Sequence, residues 1–214
     1  LKEQLGAIDI LINNAGIGKF AKFMDFEISE WENIIKVNLL GAYYVIHAVL
    51  PEMLERQSGD IVNVSSSAGV RASALTSAYS ASKFGLEGIS EGLHYEVRPL
   101  GVDVAILQPG AFPTEMSQKF NPGSDASVND GYQAIADYPN KMGAAVGKAF
   151  ETLNPNPQDV ADAVVNLISL PKGQRPIRTN VDPFTGEFLN AANEAVQVQY
   201  EKALTAFGMG DLLK

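Results

Sequence analysis

Three short apolar runs restrict the folds open to this chain. Ile8-Asp9-Ile10-Leu11-Ile12, Ile61-Val62-Asn63-Val64-Ser65 and Val102-Asp103-Val104-Ala105-Ile106-Leu107 are rich in β-branched residues and are followed by turn signals. Runs of that length and composition read as buried strands. Between them lie helical patterns of ten or more residues. One opens on Ser29-Glu30-Trp31-Glu32, the spacing of a capping box, and runs with interruptions to about residue 57, with Pro51 expected to kink or divide it. The next covers about residues 79–97 and ends at Pro99. Asn156-Pro157 should start another, to about residue 170, with proline in its first turn. Residues 178–181 fit a weaker strand and residues 187–207 a last helix. Strands alternating with helices of this length imply βαβ units and a parallel sheet with helices on both faces.

The chain has 214 residues, the size of a single domain, with a polar, glycine-rich excursion at about residues 115–150. Cysteine is absent, which excludes disulfides, thiolate metal sites and a cysteine nucleophile, and fits a reducing cytoplasm. The net charge of −9, without basic runs, argues against nucleic acid and anionic membranes as partners. No apolar run looks long enough to span a bilayer. His47 and His94 lack partners at metal-ligand spacing, and the sequon Asn63-Val64-Ser65 falls on an expected buried strand.

Chemistry is suggested by Tyr79-Ser80-Ala81-Ser82-Lys83. Residues four apart share a helix face, roughly 5–6 Å apart at Cβ. An ammonium that close should favour the phenolate and lower the tyrosine pKa, making an acid/base group for neutral pH. Ser66 lies thirteen residues upstream, and its spacing favours it over Ser65 and Ser67. Ligands of parallel α/β sheets bind beyond the carboxyl ends of strands. Residues 13–16, Ser66 and Pro109-Gly110 fall at three such ends.

Asn13-Asn14-Ala15-Gly16, Val37-Asn38 with Gly41, Asn63-Val64-Ser65-Ser66 with Gly69, the Tyr79–Lys83 pair, and Pro109-Gly110 with Thr114 occur in one order over residues 8–114. In that order and spacing they resemble the short-chain dehydrogenase/reductase family, of the classical type. The resemblance implies a three-layer, Rossmann-like doubly wound sheet forming a single NAD(P)-binding domain over residues 1–214. It implies hydride transfer between NAD(P)(H) and a carbonyl or secondary alcohol, with Tyr79 as acid/base. Lys83 would tune Tyr79 and hold the nicotinamide ribose, Ser66 would bond the substrate oxygen, and Asn38 would support a water relay to the lysine. Asn14, Ala15 and Gly16 would line the adenosine ribose, with Pro109, Gly110, Phe112 and Thr114 at the carboxamide end and Tyr79 and Lys83 also touching cofactor. Asn13 would stitch its turn to a neighbouring strand. Phe112, Met116 and Phe120 would either wall the substrate under a lid or belong to the core. The family also pairs the helices at about residues 40–57 and 79–97 with a two-fold mate, so a homodimer or homotetramer is expected, with Gly85, Gly88 and Gly92 permitting close packing.

The family's opening strand and phosphate-binding glycine loop have no counterpart here. Gly16-Ile17-Gly18 is a fragment of Gly-x-Gly-x-x-Gly, and the chain begins within a helical pattern. The reading is therefore of a domain lacking its N-terminal strands, about 70 residues judged from the size of two βα units. The cofactor is NAD or NADP, with NADP slightly favoured, because the discriminating residue would lie in that part. The alternatives are a non-catalytic nucleotide sensor on the same fold, or an inactive fragment. Ser80-Ala81-Ser82-Lys83 also matches the Ser-x-x-Lys of penicillin-recognising enzymes, but the partner motifs are absent, and there is no Gly-x-Ser-x-Gly elbow for a conventional serine hydrolase.

Overall fold

A computed structural model describes residues 6–116 and 126–213. Among them, four parallel strands form one sheet in the order β1 (Ile10–Asn13), β2 (Gly59–Val64), β3 (Val102–Pro109) and β4 (Arg178–Val181). The helices are α1 (Ile28–Ile35), α2 (Gly41–Arg56), α3 (Ser77–Val97), α4 (Tyr138–Leu153), α5 (Gln158–Ser169) and α6 (Gly186–Ala206). The sheet lies between helices on both faces, as expected of a Rossmann-like α/β fold. The strand order does not reverse, so the switch point of a doubly wound sheet does not fall among these strands.

Alternation along the central strands sends side chains to opposite faces. Ile61, Val102 and Val104 meet Ile46 and Met53 of α2 and Val97 of α3 on one side. Val62, Val64, Ala105 and Leu107 meet Leu167 of α5 on the other. β2 is buried along its whole length, which fits its β-branched Ile61, Val62 and Val64. β1 differs from its expected burial. Leu11 packs toward α2, but Ile10 and Ile12 are 41% and 44% exposed, because β1 is an edge strand uncovered on its other face.

Three local expectations shift. The capping box lies two residues earlier, with Glu27 as N-cap: the Glu30 carboxylate accepts from the Glu27 amide at 3.2 Å and also pairs with Lys19 at 2.7 Å. Pro51 neither ends nor divides its helix, which continues to Arg56 and stops at Gln57 with φ 51°. The irregularity is a π-helical turn, Lys36–Leu40, holding Asn38. Helical residues therefore run from Ile28 to Arg56, 29 residues whose most apolar window has a mean hydropathy of 1.4. By length and composition this could cross a bilayer, contrary to the sequence reading; core helices of soluble proteins share the property, and Ile46 and Met53 lie in the core.

The amino ends of the central strands are tied by charge. Asp60 and Asp103 are directly opposed across β2 and β3, and Arg175 bridges them, 3.2 Å from Asp60 and in contact with Asp103. Arg175 also donates to the Ile168 carbonyl at 3.0 Å, and Asp103 accepts from the Gly173 amide at 2.9 Å. Burial pushes the Asp60 carboxyl above its usual pKa, against the pull of Arg175. Removing one partner from a buried charged group strands the others. Arg175→Met should therefore destabilise the protein by roughly 3–5 kcal/mol, read as a lower urea midpoint; a loss below about 1 kcal/mol would show that the two carboxylates tolerate each other unaided.

Candidate active site

Each strand delivers a short loop at its carboxyl end, and α3 begins beside them. Together they enclose a cleft of about 1650 Å³ lined by Asn14, Ala15, Gly16, Ser66, Tyr79, Lys83, Pro109, Gly110, Phe112 and Thr114. These sequence-predicted positions thus meet in one place. The sheet makes this possible: β1, β2 and β3 end side by side, and Tyr79 and Lys83 occupy the first two turns of α3, which packs against β3.

Asn38 does not line the cleft. It is buried behind Gly16, where its Oδ1 accepts from the Ile17 amide at 2.8 Å and its Nδ2 donates to the Ile17 carbonyl and to Ser82 Oγ, both at 2.9 Å. Ser82 donates to the Tyr79 carbonyl at 2.6 Å. The π turn therefore fastens the loop after β1 to the turn of α3 that carries Tyr79. Asn13 stitches as expected: its amide donates to Asn63 at 2.8 Å, and Asn63 donates to Ser90 at 2.8 Å.

Lys83 is buried, and its Nζ donates to the Val64 carbonyl at 2.7 Å. It stands 5.7 Å from the centre of the Tyr79 ring. Desolvation lowers its pKa to about 8, opposed by the carboxylate of Glu87. The expectation that Lys83 lowers the Tyr79 pKa is not met. Tyr79 is itself buried, and desolvation raises its pKa, while a hydrogen bond with the Ser66 side chain pulls the other way. Sequence spacing gives the neighbour but not the depth of burial, and here burial dominates. The Ser66 oxygen also accepts from the Ala68 amide at 3.1 Å, which fixes its rotamer toward the tyrosine.

Gly110 has a steric reason of its own to be small. A Cβ there would lie 2.3 Å from the Asp182 carboxylate, which accepts from the Phe184 and Thr185 amides at 2.8 and 3.1 Å in the turn before α6. Gly16 has more room, since a Cβ would meet Asn38 Oδ1 at 3.5 Å and Lys83 Nζ at 3.8 Å. Asp182 was missed in the sequence, as was α4, whose Met142, Val146 and Phe150 line the cleft. Their spacing of four was the available signal, hidden among glycines and Asn140. Phe112 is buried and Met116 half-buried in the cleft wall; Phe120 and the rest of 117–125 lie outside the described residues.

A parallel sheet with tyrosine, lysine and serine gathered beyond its carboxyl edge is a Rossmann-like α/β architecture. The chain belongs to the short-chain dehydrogenase family, whose model matches residues 1–125. It is 32% identical over 171 residues to an uncharacterized oxidoreductase of Staphylococcus aureus strain N315, covering 80% of this chain and 62% of that protein. The chain thus spans about three fifths of the length of that relative. A short-chain dehydrogenase from Streptomyces avermitilis matches 98% of this chain and 73% of its own, at 28% identity and a TM-score of 0.74. A metagenomic short-chain oxidoreductase in complex with NADP matches 85% of this chain and 65% of its own, at 27% identity and a TM-score of 0.61.

The described residues suit one end of a dinucleotide. Lys83 spends one donor on Val64, and its ammonium borders the open floor made by Gly16, chemistry that fits a ribose diol. Among the described residues no glycine-rich turn opens a helix at the cleft, so the fit does not extend to the phosphates.

Burial of the Lys83 ammonium has a testable consequence. Its folded pKa lies near 8, below the usual 10.5, so the unfolded chain binds more protons between those values and stability rises with pH across that window. Lys83→Met should stabilise the fold at pH 7 by on the order of 1–3 kcal/mol, the gain shrinking toward zero as pH approaches 10.5. Urea melts at pH 7 and pH 10 check both statements; a destabilised variant at pH 7 would show that the Val64 hydrogen bond outweighs desolvation.

Proposed function

We propose that this chain carries the catalytic half of an NAD(P)-dependent oxidoreductase that interconverts a carbonyl and a secondary alcohol at a CH–OH carbon. The observation that carries the reading is the single buried cluster of Tyr79, Ser66 and Lys83 at the mouth of a cleft beyond the sheet. When bound, the nicotinamide supplies or accepts the hydride. In the reducing direction the Tyr79 phenol gives its proton to the substrate oxygen, and in the oxidising direction it takes one. The raised pKa suits the first role, since the resting phenol is protonated at neutral pH. Ser66 shares the hydrogen bond to the oxygen and stabilises the phenolate left behind. Lys83 stabilises the same negative charge and holds the ribose hydroxyls, while Asn14, Ala15 and Gly16 line the adenosine side. Pro109, Gly110, Phe112 and Thr114 bound the carboxamide side. Asn38 supports proton relay by locking the loop against α3.

NADP is favoured slightly over NAD, although similar structures hold either: NADP in the metagenomic oxidoreductase and NAD+ in a xylitol dehydrogenase. A cytoplasmic setting is supported by the lack of cysteine. A homodimer or homotetramer is supported by the exposed side chains of Tyr43, Tyr44 and Phe84 on α2 and α3, and by Gly88 and Gly92, where added Cβ atoms meet nothing within 4 Å. Gly85 serves intrachain packing instead, since a Cβ there would lie 2.7 Å from Leu39.

Tyr79→Phe should reduce turnover of a ketone panel by roughly 10²–10⁴-fold while leaving NADPH affinity unchanged by fluorescence titration. Wild-type turnover in that variant would remove Tyr79 from the chemistry. NADPH binding without turnover by the unaltered protein would favour a nucleotide sensor.

A further inference from the structure

Behind Lys83 lies a buried polar network that the proposed reaction does not use. Glu87, one helical turn further along α3, is 7% exposed. Gln108 of β3 donates to one of its carboxylate oxygens at 3.0 Å, and Arg178 of β4 donates to the other at 3.0 Å. Arg178 also bonds Glu91 at 3.1 Å, and Asn193 of α6 donates to Gln108 at 2.7 Å. Gly69 closes the serine loop over this carboxylate: a Cβ there would meet Ser65 Oγ at 2.6 Å and both Glu87 Cγ and the Lys83 carbonyl at 3.1 Å.

We propose that Glu87 is a positioning residue for Lys83, a counter-charge clamped by Gln108 and Arg178 that keeps the buried lysine an ammonium. Its value to the reaction rests on the role given to Lys83 above; the charge coupling does not. A lysine in this setting needs such support, because removal from water favours its neutral form. Among the described residues, Glu87 is the one carboxylate whose charge acts on Lys83. Tyr79 precedes it on α3; the end of β2 gives the Val64 carbonyl and the Ser65 and Ser66 hydroxyls; the π turn gives the Asn38 amide; β3 gives Gln108. Arg178 is the one further charge facing Glu87 from β4, and it is shared with Glu91. Glu87 makes no direct ion pair with Lys83, so it acts across one turn of helix, where the low dielectric preserves its field. Arg178 competes for that field, so the two residues should push Lys83 in opposite directions.

The test follows the Lys83 ε-carbon by NMR in protein labelled with ¹³C-lysine, its signal identified by loss in Lys83→Met. In the unaltered protein the midpoint should fall near 8. Glu87→Gln should move it down, and Arg178→Met should move it up. Where turnover is measurable, the alkaline limb of its pH profile should move the same way in each variant. A purely structural network would loosen in both variants and shift the midpoint the same way or not at all, and either result overturns the proposal. If Glu87→Gln does not fold, Arg178→Met decides alone: an upward shift supports the coupling, and none refutes it. Because the titration needs neither cofactor nor substrate, a failed dehydrogenase assay leaves it readable, and a failed titration leaves the Tyr79 assignment standing.

Discussion

The bond from Lys83 Nζ to the Val64 carbonyl joins the two halves of the site. Val64 is the last residue of β2, and Lys83 lies in the second turn of α3, so this hydrogen bond ties the start of the helix to the sheet edge. The serine loop begins at the next residue, and Ser66 meets the Tyr79 phenol because strand and helix are held in this register. Placing an ammonium there opposes solvation, which is why the surroundings are so heavily polar. Asn38 and Ser82 brace the turn on one side, and Glu87, Gln108 and Arg178 brace it on the other. Natural sites commonly give up stability in this way where chemistry requires a strained or desolvated group.

Charge is used differently at the two ends of the sheet. At the amino ends, Arg175 neutralises two carboxylates almost completely removed from water. At the carboxyl ends, Lys83 has no ion pair among the described residues and borders an open cleft. The first arrangement is closed off from the cleft and serves the fold. The second is unsaturated and can bind.

Much of this was legible. The β-branched residues marked the strands because burial on both faces favours them, as Ile61, Val62 and Val64 of β2 show. The residues of the site could be grouped because a parallel sheet brings distant strand ends together. What stayed hidden depended on tertiary surroundings. Ile10 and Ile12 read like a core strand, yet edge position leaves them exposed. Tyr79 and Lys83 gave a correct neighbourhood and the wrong pKa direction for the phenol, since burial is not a local property of five residues. Gly110 was read as a ligand position, but the Asp182 carboxylate that its missing Cβ makes room for could not be read from the sequence. The helix α4 was lost because Pro139, Gly143 and Gly147 read as loop, although proline suits a first turn and the cleft supplies the packing.

The central claim is that this cluster moves a proton onto an oxygen whose carbon receives a hydride. Deuterium transfer tests it most directly. With NADPH labelled at the nicotinamide C4 position, incubation with a ketone panel should place the label on the carbinol carbon of an alcohol product. Bound NADPH, shown by fluorescence, with no label in any product would contradict the account.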